Sequence, residues 1–236
     1  MRIRIAPTIG ALLLAAASLG CDSPGQVTGL LVTPSGGQVQ VRMLNALTAS
    51  QSLSFVVDQQ VATSGVNFGG GSPYVPMAIG THRLQAEGTT TGTTLVDFTR
   101  DLSAAGSYSM IPATGLSQFG ALFILDDLTT PAGQATMRLI HLAAAPGPVS
   151  VYLLGPTGDP TSATPILTLA FGAASPYASV APGTYRIRVT PAGVPSSVLL
   201  DSGSFTVTSG SVRTLLLTDA PGGGLPSTLS IIADAN

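Results

Sequence analysis

The chain has 236 residues, of which 8% are charged and 44% are hydrophobic, and its formal net charge is −2. It contains no lysine, which argues against a basic patch for a nucleic-acid partner and against a polybasic membrane-binding surface. Ordinary soluble domains have about 25% charged residues, so this surface must be polar mainly through hydroxyl and backbone groups. The 28 glycines and 18 prolines separate short apolar segments, which is typical of an all-β protein with many turns.

Residues 1–20 have the pattern of a bacterial signal peptide. Two arginines precede an uncharged stretch, residues 9–19, which at ~1.5 Å per residue would cover only about half of a ~30 Å hydrocarbon core. The stretch ends in Ser18-Leu19-Gly20-Cys21, which resembles the lipobox of bacterial lipoproteins. The resemblance implies a lipid on Cys21. We therefore expect an exported protein, anchored by lipid to the cell envelope, at the outer membrane or cell surface rather than at the inner membrane.

Cys21 is the only cysteine, which excludes an internal disulfide bond. A buried or free thiol is the alternative, but the position of Cys21 at the end of the apolar stretch favours lipidation. Residues 21–36 contain Ser, Pro and Gly and are predicted to be the lipidated cysteine and a tether. Without residues 1–20 the chain keeps seven arginines and eleven acidic residues, so the exported part is weakly acidic.

A repeat at a constant offset of 103 residues indicates the domain organisation. The segment Phe68–Tyr74 returns as Phe171–Tyr177, and Gly80–Leu84 returns as Gly183–Ile187. The residues shared by the two copies carry the repeat motif, and Tyr185 takes the place of His82. Besides the glycine after each phenylalanine, they are Phe68, Ser72, Pro73, Tyr74, Gly80, Thr81 and Arg83 in the first copy, and Phe171, Ser175, Pro176, Tyr177, Gly183, Thr184 and Arg186 in the second.

A repeat of roughly 100 residues indicates a domain duplication rather than a solenoid, whose units are about 20–50 residues long. The predicted domains are residues 37–128 and residues 136–236, joined by a linker at residues 129–135. Apolar residues within each copy alternate with a period of two, and no segment of the exported part has the pattern of an amphipathic helix. About seven strands per copy predict two tandem antiparallel β-sandwiches of the immunoglobulin-like kind.

Four segments in a fixed order, Met137–His141, Val149–Tyr152, Ser175–Tyr177 and Pro182–Val189, resemble domain of unknown function 4397 (DUF4397). That family occurs in bacterial envelope proteins, often as tandem copies behind a lipoprotein signal. The second copy is the better match, because the first has no clear Val-x-Val-Tyr strand. The resemblance implies a transthyretin-like or immunoglobulin-like sandwich and brings no activity with it.

The two histidines, His82 and His141, do not occupy equivalent positions in the two copies. His82 is interpreted as a partly buried packing residue, and His141 as a strand-end residue whose polar atoms bind backbone. No serine lies in a G-x-S-x-G motif with a partner placed to activate it. The sequence therefore predicts no catalytic residue and no cofactor.

The aspartates and the tyrosines are the remaining candidates for a metal site and a glycan site. Carboxylate oxygens could hold calcium in an exported domain, but their spacing resembles no calcium loop, so surface and turn positions are predicted for the aspartates and no metal site is assigned. The aspartates in question are Asp97, Asp126, Asp127, Asp201 and Asp234. Aromatic stacking on a sugar is the hypothesis for the tyrosines, with core packing as the default. The tyrosines in question are Tyr74, Tyr152, Tyr177 and Tyr185.

The sequence thus favours a non-enzymatic, lipid-anchored envelope protein that serves as a structural, adhesion or protein-interaction module. Its expected partners are the membrane, through the lipid, and an unidentified protein or polysaccharide that could add to an open sheet edge. The alternative is a module that binds a glycan or a small ligand, and this binding could depend on calcium. An enzyme would require polar residues from several strands to converge at one opening.

Overall fold

The structure, a computed structural model, describes residues 38–49, 52–116 and 120–235. The predicted signal peptide, Cys21 and the tether lie outside the described residues. Within the described ranges the chain forms sixteen strands and one 3₁₀ helix, which confirms the all-β prediction. In this part of the chain no helix is long and apolar enough to cross a membrane.

The strands fall into two halves of eight. The first half contains β1 (Val39–Met43), β2 (Leu53–Val57), β3 (Gln60–Val66), β4 (Val75–Met77), β5 (Gly80–Gly88), β6 (Thr94–Leu102), β7 (Gly106–Pro112) and β8 (Ala121–Asp126). The second half contains β9 (Ala135–Leu142), β10 (Val149–Leu154), β11 (Leu167–Leu169), β12 (Ala178–Val180), β13 (Gly183–Pro191), β14 (Leu200–Val207), β15 (Val212–Thr218) and β16 (Thr228–Ala235), with the 3₁₀ helix Pro160–Ser162 after β10. Each half has eight strands where about seven were predicted, and β4, β11 and β12 have only three residues each, too few to produce an alternating pattern.

The strands of each half form two four-stranded sheets. Sheet I has the order β4-β1-β7-β8 and sheet II the order β3-β2-β5-β6. In the second half, sheet III has the order β12-β9-β15-β16 and sheet IV the order β11-β10-β13-β14. Each strand number in the second half is eight higher than its counterpart, so the two halves have the same topology. The pairs β1–β7 and β9–β15 are parallel, and the other pairs are antiparallel.

Apolar cores fill the three spaces between four layers in the order sheet II, sheet I, sheet III, sheet IV, and the space between sheets III and IV holds two of them. The first core lies between sheets I and II and contains Phe55, Leu84 and Phe98. The second lies between sheets III and IV and contains Val151 and Ile187. A third core joins the halves, since residues of β7, β8 and the segment that follows β1 pack there against residues of β9, β15 and β16.

Sheets I and III are therefore covered on both faces. All eight residues of β9 are buried. Met137 and Leu139 contribute to cores within the second half, whereas Ile140 belongs to the core that joins the halves. Because successive side chains of a strand point to opposite faces, every polar residue on the inner face of these two sheets must find a partner inside the protein.

Candidate functional site

Two arginines and two aspartates meet between sheets I and III, and we call them the charge cluster: Arg42 on β1, Asp126 at the end of β8, Arg138 on β9 and Asp234 on β16. Their side chains are 0–2% exposed. Each arginine reaches the aspartate of the other half. Arg42 Nη2 donates to Asp234 Oδ1 at 2.8 Å, and Arg138 Nη2 donates to Asp126 Oδ1.

A hydroxyl group also links each arginine to the aspartate of its own half. Arg42 Nε donates to Ser109 Oγ at 2.9 Å, and Ser109 Oγ donates to Asp126 Oδ2 at 2.7 Å. In the second half Thr214 has the role of Ser109: its hydroxyl accepts from the arginine Nε at 3.0 Å and donates to the aspartate at 2.6 Å. The two halves therefore build the same arrangement from equivalent strands.

The tyrosines of the repeat motif complete the cluster. Tyr74 donates its hydroxyl to Asp126 at 2.7 Å, and Tyr177 donates to Asp234 at 2.7 Å. The guanidinium carbon of Arg42 lies 4.8 Å from the centre of the Tyr74 ring, and that of Arg138 lies 4.6 Å from the Tyr177 ring. Burial raises the pKa of both tyrosines, so their hydroxyls stay protonated and act as donors.

The serine before each of these tyrosines fixes the loop that carries it. Ser72 Oγ accepts from the Met43 amide at 2.9 Å and donates to the Pro73 carbonyl at 2.8 Å. Ser175 accepts from the Leu139 amide at 2.9 Å and donates to the carbonyl of the following proline at 2.8 Å. The Ser-Pro-Tyr triplet thus ties its loop to the first strand of its half and places the tyrosine over the aspartate.

Gly69, Phe171 and Gly172, in the segments before the triplets, lie where the halves approach closely. A Cβ atom on Gly69 would lie 2.4 Å from Ser230 Oγ of the second half. Phe171 packs edge-on against His141, and a Cβ atom on Gly115 of the first half would lie 3.2 Å from the Phe171 ring. Phe68, the counterpart of Phe171, is half-buried. The glycines of these loops allow the two backbones to come together.

The rest of the motif lies on the outer sheets. Gly80 and Gly183 begin β5 and β13, and Thr81 and Thr184 are exposed. The arginine that follows each threonine by two residues forms an exposed ion pair with an aspartate of the neighbouring strand. These pairs are Arg83 with Asp97 and Arg186 with Asp201, and Arg188 also contacts Asp201. Asp97 and Asp201 therefore occupy the predicted surface positions.

The prediction of surface or turn positions for Asp126 and Asp234 is wrong. Both carboxylates are fully buried, and each accepts from an arginine, a tyrosine and a hydroxyl group. The error arises because the end of a terminal strand is usually exposed, whereas here a second sheet covers it. Asp127 is exposed and accepts from Thr129, as expected for a turn residue.

Electrostatically the charge cluster is balanced. Burial by itself lowers the pKa of Arg42, but the carboxylates of Asp234 and Asp126 outweigh it and raise that pKa above its usual value. Two positive and two negative groups face each other, and each carboxylate takes three donors. The hydrogen bonds of the cluster run between the protein's own side chains, and they join sheet I to sheet III.

His82 makes the same backbone contact as Tyr185, its counterpart in the second half. Tyr185 donates its hydroxyl to the Ala181 carbonyl at 2.9 Å, four residues earlier in the chain, as in the tyrosine corner of immunoglobulin-like sandwiches. His82 Nε2 lies 2.9 Å from the Ala78 carbonyl, also four residues earlier. The half-buried histidine therefore keeps the contact of the tyrosine that it replaces.

The other nitrogen of His82 binds a carboxylate. Nδ1 lies 2.7 Å from Asp58 Oδ2. Because a carboxylate and a carbonyl can only accept, both contacts are satisfied together only by the doubly protonated ring. Burial lowers the pKa of His82, but its hydrogen bonds to Asp58 and Ala78 outweigh this and raise the pKa above its usual value. Asp58 also accepts from the Arg83 amide at 2.9 Å and lies in the β2–β3 turn with a φ of 49°.

His141 does not form a catalytic pair. Its Nε2 donates to the Gly147 carbonyl at 2.8 Å, as the predicted backbone contact requires, but its buried Nδ1 has no hydrogen-bond partner among the described residues. Burial lowers the pKa of His141, which therefore stays neutral. The nearby Asp219 uses its carboxylate to accept from the amides of Ala144 and Ala145 at 3.1 Å. In the described ranges no three His, Cys, Asp or Glu residues lie close enough together to hold a metal ion.

The tyrosines considered for a glycan-binding face are not presented together. Tyr74 and Tyr177 bind the charge cluster, Tyr185 forms its corner, and Tyr152 is 3% exposed in the core. Core packing, the default interpretation, describes Tyr152, whereas the other three tyrosines donate their hydroxyls to groups within the protein.

A polar cleft that the sequence did not indicate lies in the first half, between the edge strands β6 and β8. It has a volume of about 330 Å³. Phe123 forms its base, stacked on Tyr108 at 5.4 Å and covered by the Arg100 guanidinium at 5.3 Å. Asp101 and Leu125, both exposed, line its rim. The cleft thus combines aromatic rings with one charge of each sign, which suits a small polar ligand.

Comparison with known proteins gives one family. The profile described as a domain of unknown function, DUF4397, matches residues 39–152. A DUF4397 domain is found in this chain. The match begins at the first residue of β1 and ends inside β10, so it covers the first half, whereas the sequence resemblance favoured the second. No curated protein matches the chain.

The similarity to solved structures is weak. A carbohydrate-binding module of family CBM26 from Eubacterium rectale, solved with maltoheptaose, is 12% identical and has a TM-score of 0.26, covering 81% of this chain and 95% of its own. An α-glucan-binding streptococcal virulence factor is 12% identical and has a TM-score of 0.26, covering 77% of this chain and 93% of its own. A candidate cell adhesion protein from Bacteroides fragilis is 10% identical and has a TM-score of 0.20, covering 84% of this chain and 98% of its own. TM-scores this low assign neither a ligand nor a partner to this chain.

Proposed function

We propose that this protein is a non-enzymatic binding module of the bacterial cell envelope, anchored to a membrane by a lipid on Cys21. The observation that carries the proposal is the charge cluster. The charged residues of this cluster, which come from four different strands, pair with one another inside the protein and join the halves. What remains for function is the outer surface, with its exposed strand edges and clefts, and the task that suits it is recognition of a protein or polysaccharide partner.

The second half is part of the same proposal, as a second DUF4397 domain. Its support is the identical strand order of the halves and the equivalent positions of Arg42 and Arg138 and of Asp126 and Asp234. Two such domains joined through buried faces would move as one rigid body, and a rigid body holds a binding surface at a fixed distance from its anchor.

The anchor is tested by labelling cells with an alkyne fatty acid and comparing the wild type with Cys21→Ala. We expect label on the wild type and none on the variant, because Cys21 is the only thiol. Protease treatment of intact cells then locates the protein. Digestion without cell breakage supports the surface position, and protection until the outer membrane is broken supports a periplasmic one. Label that persists on Cys21→Ala would refute the anchor.

The polar cleft favours a second candidate function, the binding of a glycan. Arg100 and Asp101 are exposed, and neither has an ion-pair partner among the described residues, so both can bind sugar hydroxyl groups. Because Arg100 covers the Phe123 ring, a sugar that stacks on this ring must displace the guanidinium.

Retention on immobilised envelope polysaccharides tests this candidate. We expect Arg100→Ala and Asp101→Ala to weaken retention of the protein, and Arg188→Ala, an arginine of the second half far from the cleft in sequence, to leave it unchanged. Equal retention of all three variants would exclude the cleft as the glycan site and leave the protein-partner proposal in place.

A further inference from the structure

The second sandwich contains an apolar cavity of about 190 Å³. Its walls come from both sheets of the half, and its opening lies by the short strands β11 and β12, which are edge strands of sheets IV and III. Val151, Ile187 and Leu215 form the deep part and are 0–3% exposed. Ile166 lies at the opening and is 55% exposed. The cavity therefore reaches from the surface into the core of the half.

The polar atoms on the cavity wall already have partners. The Ser175 hydroxyl accepts from the Leu139 amide and donates to the Pro176 carbonyl. The Arg138 guanidinium binds Asp126 in the charge cluster, on the opposite face of sheet III, so it is not available to an occupant of the cavity. A charged or strongly polar occupant would find no hydrogen-bond partner there, and its desolvation would go uncompensated.

The first half fills the equivalent position with an aromatic ring. Phe55 on β2 pairs with Ala86 on β5, and Val151 on β10 pairs with Val189 on β13, which occupies the place of Ala86. Phe55 is fully buried in the first core. The second half therefore has a small side chain where the first half has a phenyl ring, on the wall of the cavity.

We propose that this cavity is a binding site for a small, uncharged, apolar molecule, of the size of one six-membered carbon ring or a short branched chain. The volume sets the size, because apolar cavities of about 150 Å³ stay free of water and accept benzene. The lining sets the chemistry, because the side chains that face the cavity are apolar apart from Ser175, whose hydroxyl is already bonded. The site is separate from the polar cleft and from the lipid anchor, so it stands or falls independently of the proposed function.

Toluene binding to the full chain carrying Cys21→Ala, which leaves every described residue intact, tests the proposal. Methyl resonances of isoleucine, leucine and valine are followed by NMR as toluene is added. We expect saturable shifts at Val151, Ile187 and Leu215, and none at Phe55-contacting methyl groups of the first core. Phenylacetate, which has a similar ring and a carboxylate, should produce no such shifts.

Val151→Phe supplies the decisive variant, because it introduces the residue of the first half. It should fill the cavity and weaken toluene binding by about tenfold or more, while the strand content by circular dichroism stays that of the parent chain. Phe55→Val is the matched control in the other half and should leave toluene binding at Val151 unchanged.

Two results would overturn the proposal. The first is the absence of saturable shifts at the cavity methyl groups in the parent chain, a measurement that needs no variant. The second is a folded Val151→Phe protein that binds toluene as tightly as the parent. If Val151→Phe does not fold, xenon added to the parent chain replaces it as the test: ¹²⁹Xe shifts that compete with toluene support the cavity, and xenon that does not compete refutes it.

Discussion

Replacement of Arg42 by methionine should destabilise the protein strongly, although methionine fits an apolar interior. The variant removes one positive charge from the charge cluster and leaves two carboxylates opposite the single guanidinium of Arg138. Asp234 loses its arginine donor and Ser109 loses a donor at 2.9 Å. Removal of one partner from a buried ion pair costs about 3–5 kcal/mol, mostly because the other charge stays buried and uncompensated.

Thermal and urea unfolding measure this loss. For a protein of this size about 1 kcal/mol corresponds to about 2–4 °C, so Arg42→Met should lower the melting temperature by about 6–20 °C. The matched control is Arg83→Met, which breaks an ion pair of the same residue types on the surface, where Arg83 is 46% exposed. Solvent screens such a pair, so the control should melt close to the wild type.

A double variant separates the charge effect from lost packing. Arg42→Met with Asp234→Asn restores neutrality, and the asparagine oxygen can still accept from Thr214 or Tyr177. The combined loss should therefore be smaller than the sum of the two single losses by about 1 kcal/mol or more. Equal melting temperatures for Arg42→Met and Arg83→Met, or strictly additive single losses, would refute the reasoning that the cluster stabilises the protein through paired buried charges.

Three further outcomes are expected. The free energy of unfolding of the wild type should fall relative to that of His82→Tyr as pH rises between about 5 and 8. The reason is that a histidine with a raised pKa stabilises the fold below about pH 6.5 and loses this contribution above its folded pKa. Parallel pH profiles of the two proteins would contradict this. Burial lowers the pKa of His141, so wild type should lose stability as pH falls below about 6.5, and His141→Asn should lack this acid loss when the melting temperatures are compared. Tyr185→Phe should cost about 0.5–1 kcal/mol in urea unfolding, because the Ala181 carbonyl loses its donor, and an unchanged midpoint would show that water replaces it.

The fold class could be predicted from the sequence because strands produce a local signal. The segment 184–190 alternates apolar and polar residues, and in the structure Ile187 and Val189 enter the core while Arg186 and Arg188 pair with Asp201 on the exposed face. The short strands β4 and β12 escape such reasoning, since three residues cannot establish a period. Their pairing with β1 and β9 is fixed by contacts distant in sequence.

The same pattern misleads where a sheet is covered twice. Residues 38–43 alternate as residues 184–190 do, and a polar residue between apolar ones is expected to face water. Arg42 instead faces a second sheet, since sheet III covers sheet I. A period of two tells which residues share a face, but not whether that face meets solvent or another layer. The continuous apolar run Leu215–Leu217 on β15 is the sequence sign that sheet III is covered twice, since its side chains enter cores on both faces of that sheet.

The charge cluster nevertheless left a trace in the sequence, in the repeat rather than in any single segment. Arg42 and Arg138 occupy equivalent places on β1 and β9, and Asp126 and Asp234 occupy equivalent places at the ends of β8 and β16. A pair of opposite charges on one face is self-complementary: when two such faces meet about a twofold axis, each arginine meets the aspartate of the other. The exchanged contacts of the cluster have that symmetry. Matching charges alone do not mark the joining face, because the exposed pairs Arg83–Asp97 and Arg186–Asp201 match as well. The cluster differs in that each arginine binds the aspartate of the other half.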